Sequence, residues 1–164
     1  MSGRPKDGVY WPFESHMDAA IAEARRAASR GEVPVGAVIS GPDGLVISSA
    51  GNMTRELDDP TAHAEILAIR AACKIFSGSR LVGCSIHVTL EPCAMCAAAI
   101  SHARIKRLCF GASDPKSGGV DHGAMVFTHP QCHFVPEVYS GIGETEASEL
   151  LQEFFSRLRS AGKA

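Results

Sequence analysis

Three residues of the kinds that bind zinc lie in one part of the sequence. Glu65 follows His63 by two positions, and further along the chain Cys93 and Cys96 form a Cys-x-x-Cys pair. Imidazole nitrogen and thiolate sulfur are preferred zinc ligands, and three protein ligands leave a tetrahedral zinc with one open position, as in catalytic sites. A carboxylate beside a zinc-bound water can move its proton during hydrolysis. The pattern predicts a hydrolytic zinc site with His63, Cys93 and Cys96 as ligands and Glu65 as the acid/base.

The Cys-x-x-Cys pair alone has other interpretations. It also occurs in thiol–disulfide exchange enzymes, and it can arise by chance. His63 and Glu65 supply the remaining parts of a hydrolytic site, which disfavours the redox interpretation. Pro92 directly before the pair favours a helix start, which would place both cysteines on one face and favour their thiolate forms. A zinc-binding module without catalysis stays open, with Glu65 as an incidental surface residue.

The convergence of His63 and Glu65 depends on where their helix begins. Two positions along a regular helix correspond to a rotation of about 200°, so the two side chains would point apart. They can converge only within the first turn. Asp59 and Pro60 are the residue types of an N-cap and a first helical position. We therefore predict a helix start that places His63 in the first turn.

The composition is that of one globular domain. The chain has 164 residues, of which 45% are hydrophobic and 21% are charged, and no apolar run is long enough for a membrane span. We predict a mobile arm over residues 1–10, a single domain over 11–160 and a tail over 161–164. The first residues are basic, but no apolar segment follows them, which argues against a signal peptide and favours the cytoplasm.

The remaining cysteines and histidines are not expected to carry chemistry. The chain has six cysteines, and we expect buried thiols without disulfides because Cys73, Cys84 and Cys109 lie in apolar segments. The other histidines have no partner at ligand spacing, so each is expected at the surface or in the core: His16, His87, His102, His122, His129 and His133.

The net charge of −2 gives no support for a nucleic-acid partner. A nucleic-acid-binding protein usually has a basic footprint, although a local patch can be hidden in a near-neutral total. Basic residues do gather at 104–107 and again at Arg157, Arg159 and Lys163. By charge alone, a solvated surface is the favoured interpretation.

The hydrophobic pattern predicts helices that alternate with strands. We expect a helix over 14–30, a hairpin of strands 33–39 and 45–47, and an exposed loop that carries Asn52. The helix after Pro60 should bury Ile66, Ile69, Cys73 and Phe76. Strand 86–90, a helix from Pro92 to about His102, strand 108–110 and a glycine-rich substrate loop over 111–123 follow.

The C-terminal part predicts an edge strand and an amphipathic helix. Pro136 places strand 134–138 at a sheet edge, and helix 144–159 should bury Ala147, Leu151, Phe154 and Leu158. The complete order predicts an α/β fold, a three-layer α-β-α sandwich with a mixed central sheet of about five strands.

Several segments carry a resemblance to a known family, from about Met17 to Arg159. They are Glu32–Val38, Asp59–Glu65, Val88–Cys96 and Phe110–Ala112 with the nearby Asp114 and Lys116. In these segments the chain resembles the bacterial tRNA-specific adenosine deaminases of the zinc-dependent cytidine/deoxycytidylate deaminase superfamily, whose signature is H-x-E with P-C-x-x-C. The zinc motif fits many deaminases, whereas the segments at 32–38 and 110–116 point to the tRNA enzyme.

This resemblance implies a mechanism and a substrate. It implies one Zn²⁺ per subunit on His63, Cys93 and Cys96, with Glu65 transferring protons while water attacks C6 of the wobble adenosine of the tRNA anticodon to give inosine. It further implies a homodimer that contacts the anticodon stem-loop with both subunits. The implied substrate contacts are Asn52 to the flipped base, Val33 and the Ala64 backbone in its pocket, and Asp114 and Lys116 near the flanking nucleotides.

Three positions depart from the family pattern, and they bear on the substrate. Met53 and Phe134 stand where basic or polar residues are common, and Ser113 stands where a longer polar residue is common. The alternative function is a deaminase of guanine, cytosine or a nucleotide with the same zinc chemistry.

Overall fold

The computed structural model describes residues 11–162 and contains five strands and four α-helices. The arm predicted over 1–10 and the last two residues of the predicted tail lie outside this range. The elements are α1 (Met17–Ser29), β1 (Gly36–Ser40), β2 (Val46–Gly51), α2 (Ala64–Phe76), β3 (Ser85–Leu90), α3 (Ala94–His102), β4 (Arg107–Ala112), β5 (Glu137–Tyr139) and α4 (Glu144–Ser160). This is the predicted order.

The strands form one mixed sheet in the order β2-β1-β3-β4-β5. The predicted hairpin is present: β1 pairs antiparallel with both β2 and β3, while β3, β4 and β5 run parallel. Helices α1 and α4 contact each other and one face of the sheet, and α2 and α3 pack together on the other. The three-layer sandwich is thus confirmed. Because β3 and β4 are parallel, their carboxyl ends lie at the same sheet edge.

Strand β3 contributes to a core on each face of the sheet. Ile86 and Val88 belong to the larger core between the sheet and the α2–α3 layer. His87 points to the opposite face, where it is 1% exposed and lies near Phe13 and His16. The alternation expected of a strand is therefore present, with a histidine in the second core.

The predicted start of α2 is wrong. The N-cap is His63, which has an extended conformation, and Asp59 caps a turn instead. The Asp59 carboxylate accepts the Thr61 N–H at 2.8 Å and the Thr61 hydroxyl at 2.7 Å. A local side-chain-to-backbone turn has thus replaced the predicted helical turn.

The predicted buried face of α2 is also wrong at its end. Phe76 is 45% exposed, and its neighbour Ile75 is 63% exposed, while Ile69 and Cys73 are partly buried against the core. Small side chains face the sheet because the helix packs closely on β1 and β2. The buried residues are Ala64, Glu65, Ala68 and Ala72.

The C-terminal elements have the predicted positions but bury less than expected. Strand β5 lies at the sheet edge and begins after Pro136. In α4 only Ala147 is buried, while Leu151, Phe154 and Leu158 are half-buried. All six cysteines are free thiols, in agreement with the prediction that the chain has no disulfides. Within residues 11–162, no helix has the length and apolarity needed to cross a membrane.

Candidate metal centre and active site

The starts of α2 and α3 meet at one point. His63 is the N-cap of α2, and Cys93 is the N-cap of α3. The His63 Nδ1 atom lies 3.7 Å from Cys93 Sγ and 3.6 Å from Cys96 Sγ. These three ligand atoms all lie within 4.8 Å of one another, and they are the one such group of three or more found within the described part of the chain.

This geometry fits a tetrahedral zinc ion. With zinc bonds of about 2.3 Å to sulfur and about 2.0 Å to nitrogen, tetrahedral angles separate the nitrogen and sulfur ligands by about 3.5 Å. The distances from His63 to the two sulfur atoms are close to this value. One nitrogen and two sulfur ligands are a donor set that zinc favours, and the fourth position is left for water or substrate.

The electrostatics of the cysteine pair also suit a divalent cation. The contact with Cys96 lowers the pKa of Cys93 to about 4, with a further contribution from His63. The same contact and burial raise the pKa of Cys96. The pair therefore shares one proton near neutral pH, which a cation would displace on binding. The N-terminus of α3 favours the negative charge.

Glu65 lies beside these ligands and is buried. Its Oε2 accepts a hydrogen bond from the Cys96 thiol at 3.4 Å, and Glu65 is only 3% exposed. Burial raises the pKa of the Glu65 carboxyl, because desolvation disfavours its charged form. A carboxyl group of raised pKa beside a metal centre can both accept and return a proton near neutral pH.

His63 and Glu65 converge because His63 is outside the helix. His63 has an extended conformation, with φ −72° and ψ 151°. The rotation of about 100° per residue that a helix would impose therefore does not apply between His63 and the helix. The convergence predicted from the sequence is thus present, but its cause differs from the prediction. An N-cap position, not a first-turn position, turns the His63 ring towards the cysteines.

Asn52 is fixed against the start of α2. Its Oδ1 accepts the Ala64 N–H at 2.8 Å, and its backbone N–H donates to Val35 at 3.1 Å. Asn52 and Ala64, two of the predicted substrate residues, are thus brought together beside His63. Val33 is half-buried against the core, and its carbonyl accepts the N–H of Val35.

Asp114 and Lys116 lie in the predicted substrate loop, which is irregular over 113–123. The Asp114 side chain accepts the N–H groups of Lys116 at 3.2 Å and Ser117 at 2.9 Å. The Lys116 side chain is exposed, and no hydrogen bond or ion pair joins it to the metal-binding group within the described residues. The structure thus places these two residues on the loop and not among the metal ligands.

Glu91 was missed by the sequence analysis, and it holds this loop in place. The carboxylate is 2% exposed and accepts five hydrogen bonds from the loop. The donors are the N–H groups of Asp114, Val120, Asp121 and His122 and the ring Nδ1 of His122, the last at 2.8 Å. Burial opposes ionisation of Glu91, but these hydrogen bonds outweigh it and lower its pKa.

The loop approaches Glu91 and the start of α3 too closely for a side chain at Gly118 or Gly119. A Cβ atom at Gly118 would lie 2.2 Å from Glu91 Oε2, and one at Gly119 would lie 2.5 Å from the Ala94 nitrogen. Since Pro92 and Cys93 follow Glu91 directly, the same turn carries a candidate metal ligand and anchors the loop. The sequence feature that could have revealed it is a charged residue at the end of an apolar strand.

Glu32 anchors the other loop in the same way. It is 1% exposed, and Oε1 accepts the N–H groups of Arg55 at 3.0 Å and Glu56 at 2.8 Å. The Thr54 hydroxyl donates to its other oxygen at 3.3 Å. Two buried carboxylates therefore fix the two loops that flank the metal centre, one beside Asn52 and one beside Asp114.

Comparisons with known proteins agree with this site. The family model described as the cytidine and deoxycytidylate deaminase zinc-binding region matches residues 12–112. A tRNA-specific adenosine deaminase of Agrobacterium fabrum is 55% identical over 143 residues, which cover 87% of this chain and 93% of that protein. The chain belongs to the tRNA-specific adenosine deaminase family.

Solved structures agree with membership of the tRNA-specific adenosine deaminase family. One, from a study of A-to-I editing by tRNA:A34 deaminases at the wobble position of transfer RNA, is 56% identical, with a TM-score of 0.81 over 82% of this chain and 97% of that chain. A guanine deaminase from Nitrosomonas europaea shares the fold at 20% identity, with a TM-score of 0.74 over 85% of this chain and 82% of that chain. The fold alone therefore does not choose the substrate.

Proposed function

We propose that this protein converts adenosine to inosine at the wobble position of the tRNA anticodon, with one zinc ion per subunit. The observation that carries the proposal is the buried Glu65 carboxyl beside the grouped ligand atoms of His63, Cys93 and Cys96, in a chain 55% identical to a tRNA-specific adenosine deaminase. The reaction adds water at C6 of the purine ring and releases ammonia.

The zinc ligands and Glu65 have separate tasks in this reaction. His63, Cys93 and Cys96 would hold the ion, which when bound polarises a water molecule and lowers its pKa towards neutrality. Glu65 accepts one proton from the attacking water and gives it to the purine ring nitrogen beside C6, and then transfers the second water proton to the amino group, which leaves as ammonia. The water oxygen bonds to C6, and the bond from C6 to the amino nitrogen breaks. Burial of Glu65 keeps its carboxyl away from bulk water.

The substrate contacts follow from the two anchored loops. The Oδ1 atom of Asn52 is occupied by the Ala64 N–H, which leaves its amide group to donate to the flipped base. Val33 and the backbone of Ala64 line the base pocket in this proposal. Asp114 and Lys116, on the loop held by Glu91, contact the nucleotides beside the target base.

A direct assay separates the tRNA substrate from small-molecule alternatives. Zinc-loaded protein is incubated with an anticodon stem-loop that carries adenosine at the wobble position, and the nucleosides are analysed by mass spectrometry after digestion. We expect inosine in the stem-loop and negligible ammonia release from free guanine, cytosine or adenosine. Ammonia release from a free base, without inosine in the stem-loop, would assign the site to a small-molecule deaminase.

We also propose a homodimer in the cytoplasm, where its tRNA substrate would be found. The dimer is supported by apolar side chains left exposed on the α2–α3 layer: Ile75 at 63%, Phe76 at 45% and Met95 at 37%. Large exposed apolar groups on one layer are typical of a contact surface. Light scattering should give twice the chain mass, and a monomer at micromolar concentration would contradict the proposal.

A further inference from the structure

A basic groove lies outside the catalytic region. It has a volume of 460 Å³ and is lined by Arg80, Val82, Gly83, Arg104, Lys106 and Phe134. Among the described residues, no carboxylate contributes to its lining. Arg104 and Lys106 belong to the basic segment 104–107 noted in the sequence, and the fold adds Arg80 and Phe134 from distant positions.

The groove lies at the opposite end of the sheet from the metal centre. Arg80 precedes β3, and Arg104 and Lys106 precede β4, whereas the zinc ligand Cys93 follows the other end of β3. A six-residue strand such as β3 is about 20 Å long. A ligand in this groove therefore cannot be the base at the metal centre.

The cations of the groove are not neutralised by neighbouring carboxylates. Five other arginines form ion pairs with glutamates, namely Arg25, Arg26, Arg30, Arg107 and Arg157. Within the part of the chain that the structure describes, Arg80, Arg104 and Lys106 have no such partner within 4.0 Å. Three unpaired cations around one concave surface favour a ligand with several negative charges.

Two of the lining residues are held in fixed positions. Arg104 has φ +59°, a left-handed conformation that non-glycine residues rarely adopt, and its guanidinium donates to the His133 carbonyl at 2.9 Å. That guanidinium lies 6.0 Å from the centre of the Phe134 ring. The backbone N–H and carbonyl of Phe134 both bond to the Ser101 hydroxyl. The groove is thus preformed.

We propose that this groove binds the sugar-phosphate backbone of the tRNA outside the anticodon loop. This inference rests on the proposed function, which supplies RNA as the polyanionic ligand. Guanidinium groups match phosphate geometry, and a cationic groove with an aromatic wall is the usual surface for a nucleic-acid strand. An acidic protein segment would complement the positive charge of the groove but would not use the Phe134 ring as a stacking surface. The low net charge of the chain therefore conceals a local nucleic-acid contact.

The test uses a pair of double variants with equal charge change. Arg80→Gln/Lys106→Gln removes two exposed groove cations, and Arg25→Gln/Arg26→Gln removes two exposed arginines of α1. Arg104 stays in place because its contacts support the fold. Binding of fluorescent full-length tRNA is measured by anisotropy across a salt series, and deamination is measured on a short anticodon stem-loop.

We expect the groove variant to bind full-length tRNA at least tenfold more weakly at low salt. The slope of log Kd against log salt should fall by roughly 2, about one per lost phosphate contact. Turnover of the short stem-loop should be unchanged. Equal tRNA binding and equal slopes in the two double variants would overturn the inference.

Two further outcomes keep this inference separate from the proposed function. A change in subunit number of the groove variant by light scattering, without a change in the salt slope, would assign the groove to a protein interface and overturn RNA binding. If the unaltered protein makes no inosine in the stem-loop, the proposed function fails, whatever the groove variant does.

Discussion

Asn52 serves both the fold and the proposed substrate pocket. Its side-chain oxygen accepts the first N–H of α2, from Ala64, as a capping group does. Its amide nitrogen has no hydrogen-bond partner within residues 11–162 and is the part offered to the base. The two ends of one side chain therefore have separable roles.

Two substitutions of Asn52 should separate these roles. Asn52→Asp keeps the oxygen acceptor but loses the amide donor, so it should melt like the unaltered protein while kcat/KM on the anticodon stem-loop falls at least tenfold. Asn52→Ala loses both groups, so it should also lose about 1 kcal/mol of stability. Thermal melting and initial rates test this. Full activity of Asn52→Asp would remove the residue from substrate binding.

His87 is a buried histidine that the folded protein keeps neutral. Neither ring nitrogen has a hydrogen-bond partner among the described residues, and burial, with the nearby His16 and Arg107, lowers its pKa from 6.5 to about 3. The unfolded chain therefore binds this proton at a higher pH than the folded chain. The stabilising contribution is complete above pH 6.5 and is lost progressively as the pH falls towards 3.

The pH dependence of stability should reveal this histidine. Between pH 7.5 and pH 5, His87 should lower the free energy of unfolding by about 2 kcal/mol. Urea unfolding at the two pH values measures the difference, and His87→Leu, which does not titrate, should show a correspondingly smaller one. Equal pH dependence in both proteins would mean that the buried imidazole is not the cause.

The loop over 113–123 depends on Glu91 at the end of β3. One carboxylate accepts four backbone N–H groups and the ring of His122, and hydrogen bonds to a charged group each contribute roughly 1.5–3 kcal/mol. The loop has no helix or strand between residues 113 and 123. Its position relative to Cys93 is therefore set by this side chain together with the hydrogen bond from the Gly119 N–H to the Pro92 carbonyl at 2.8 Å.

Glu91→Gln should loosen the loop without emptying the metal centre. The NH2 group of the glutamine side chain would lie against the N–H groups of the loop and could not accept hydrogen bonds from them. Backbone amide hydrogen exchange over 114–122 should therefore rise, and KM for the stem-loop should rise about tenfold or more. Zinc content should stay unchanged. Glu137→Gln, a change at an exposed surface glutamate, is the control. Unchanged exchange and KM would show that the loop is held by other contacts.

The order of elements was predictable from the sequence, because hydrophobic periodicity and turn residues are local features. The hairpin around 41–44 and the edge position of the strand after Pro136 followed from such features. A helix after Pro92 was also predictable, although α3 begins at Ala94 and not at Pro92. The grouping of His63, Cys93 and Cys96 was also predictable, because a histidine and a Cys-x-x-Cys pair with a nearby glutamate are together typical of a zinc site.

The errors have a common physical cause. Asp59 is a residue type that caps helices, but its carboxylate accepts the N–H and hydroxyl of Thr61 in a turn. Local sequence does not distinguish a helix cap from such a turn. Phe76 continues the apolar period of α2, yet the buried face of the helix is made mostly of alanines and does not extend to Phe76. A charged residue at the end of an apolar strand marks Glu91, but the N–H groups that Glu91 and Glu32 accept lie far along the chain, so local sequence does not show which loops they anchor.

At the scale of the molecule, the metal centre joins two parts of the sheet. His63 begins the helix that follows the β1–β2 hairpin, and Cys93 and Cys96 begin the helix that follows β3. A zinc ion bound to both helices stabilises the folded state by an amount set by its affinity and concentration. The metal would thus act on stability as well as on chemistry.

Removal of zinc should lower the melting temperature. With free zinc at about a thousand times its Kd, the bound ion contributes about 4 kcal/mol, which corresponds to about 8–16 °C for a chain of this size. Calorimetry of zinc-loaded and chelator-treated protein tests this. Cys93→Ser should melt near the chelated protein and respond little to the chelator. Equal melting of the loaded and chelated proteins would contradict a shared metal ligand set.

In the proposed reaction, Glu65 moves the protons of a zinc-dependent deamination. The most direct measurement is single-turnover inosine formation in the anticodon stem-loop by zinc-loaded Glu65→Gln, with zinc content measured on the same sample. We predict one zinc per chain, as in the unaltered protein, and a rate lower by roughly 10²–10⁴, the usual contribution of a general acid/base. An unchanged rate with zinc bound would contradict the role of Glu65 as the acid/base.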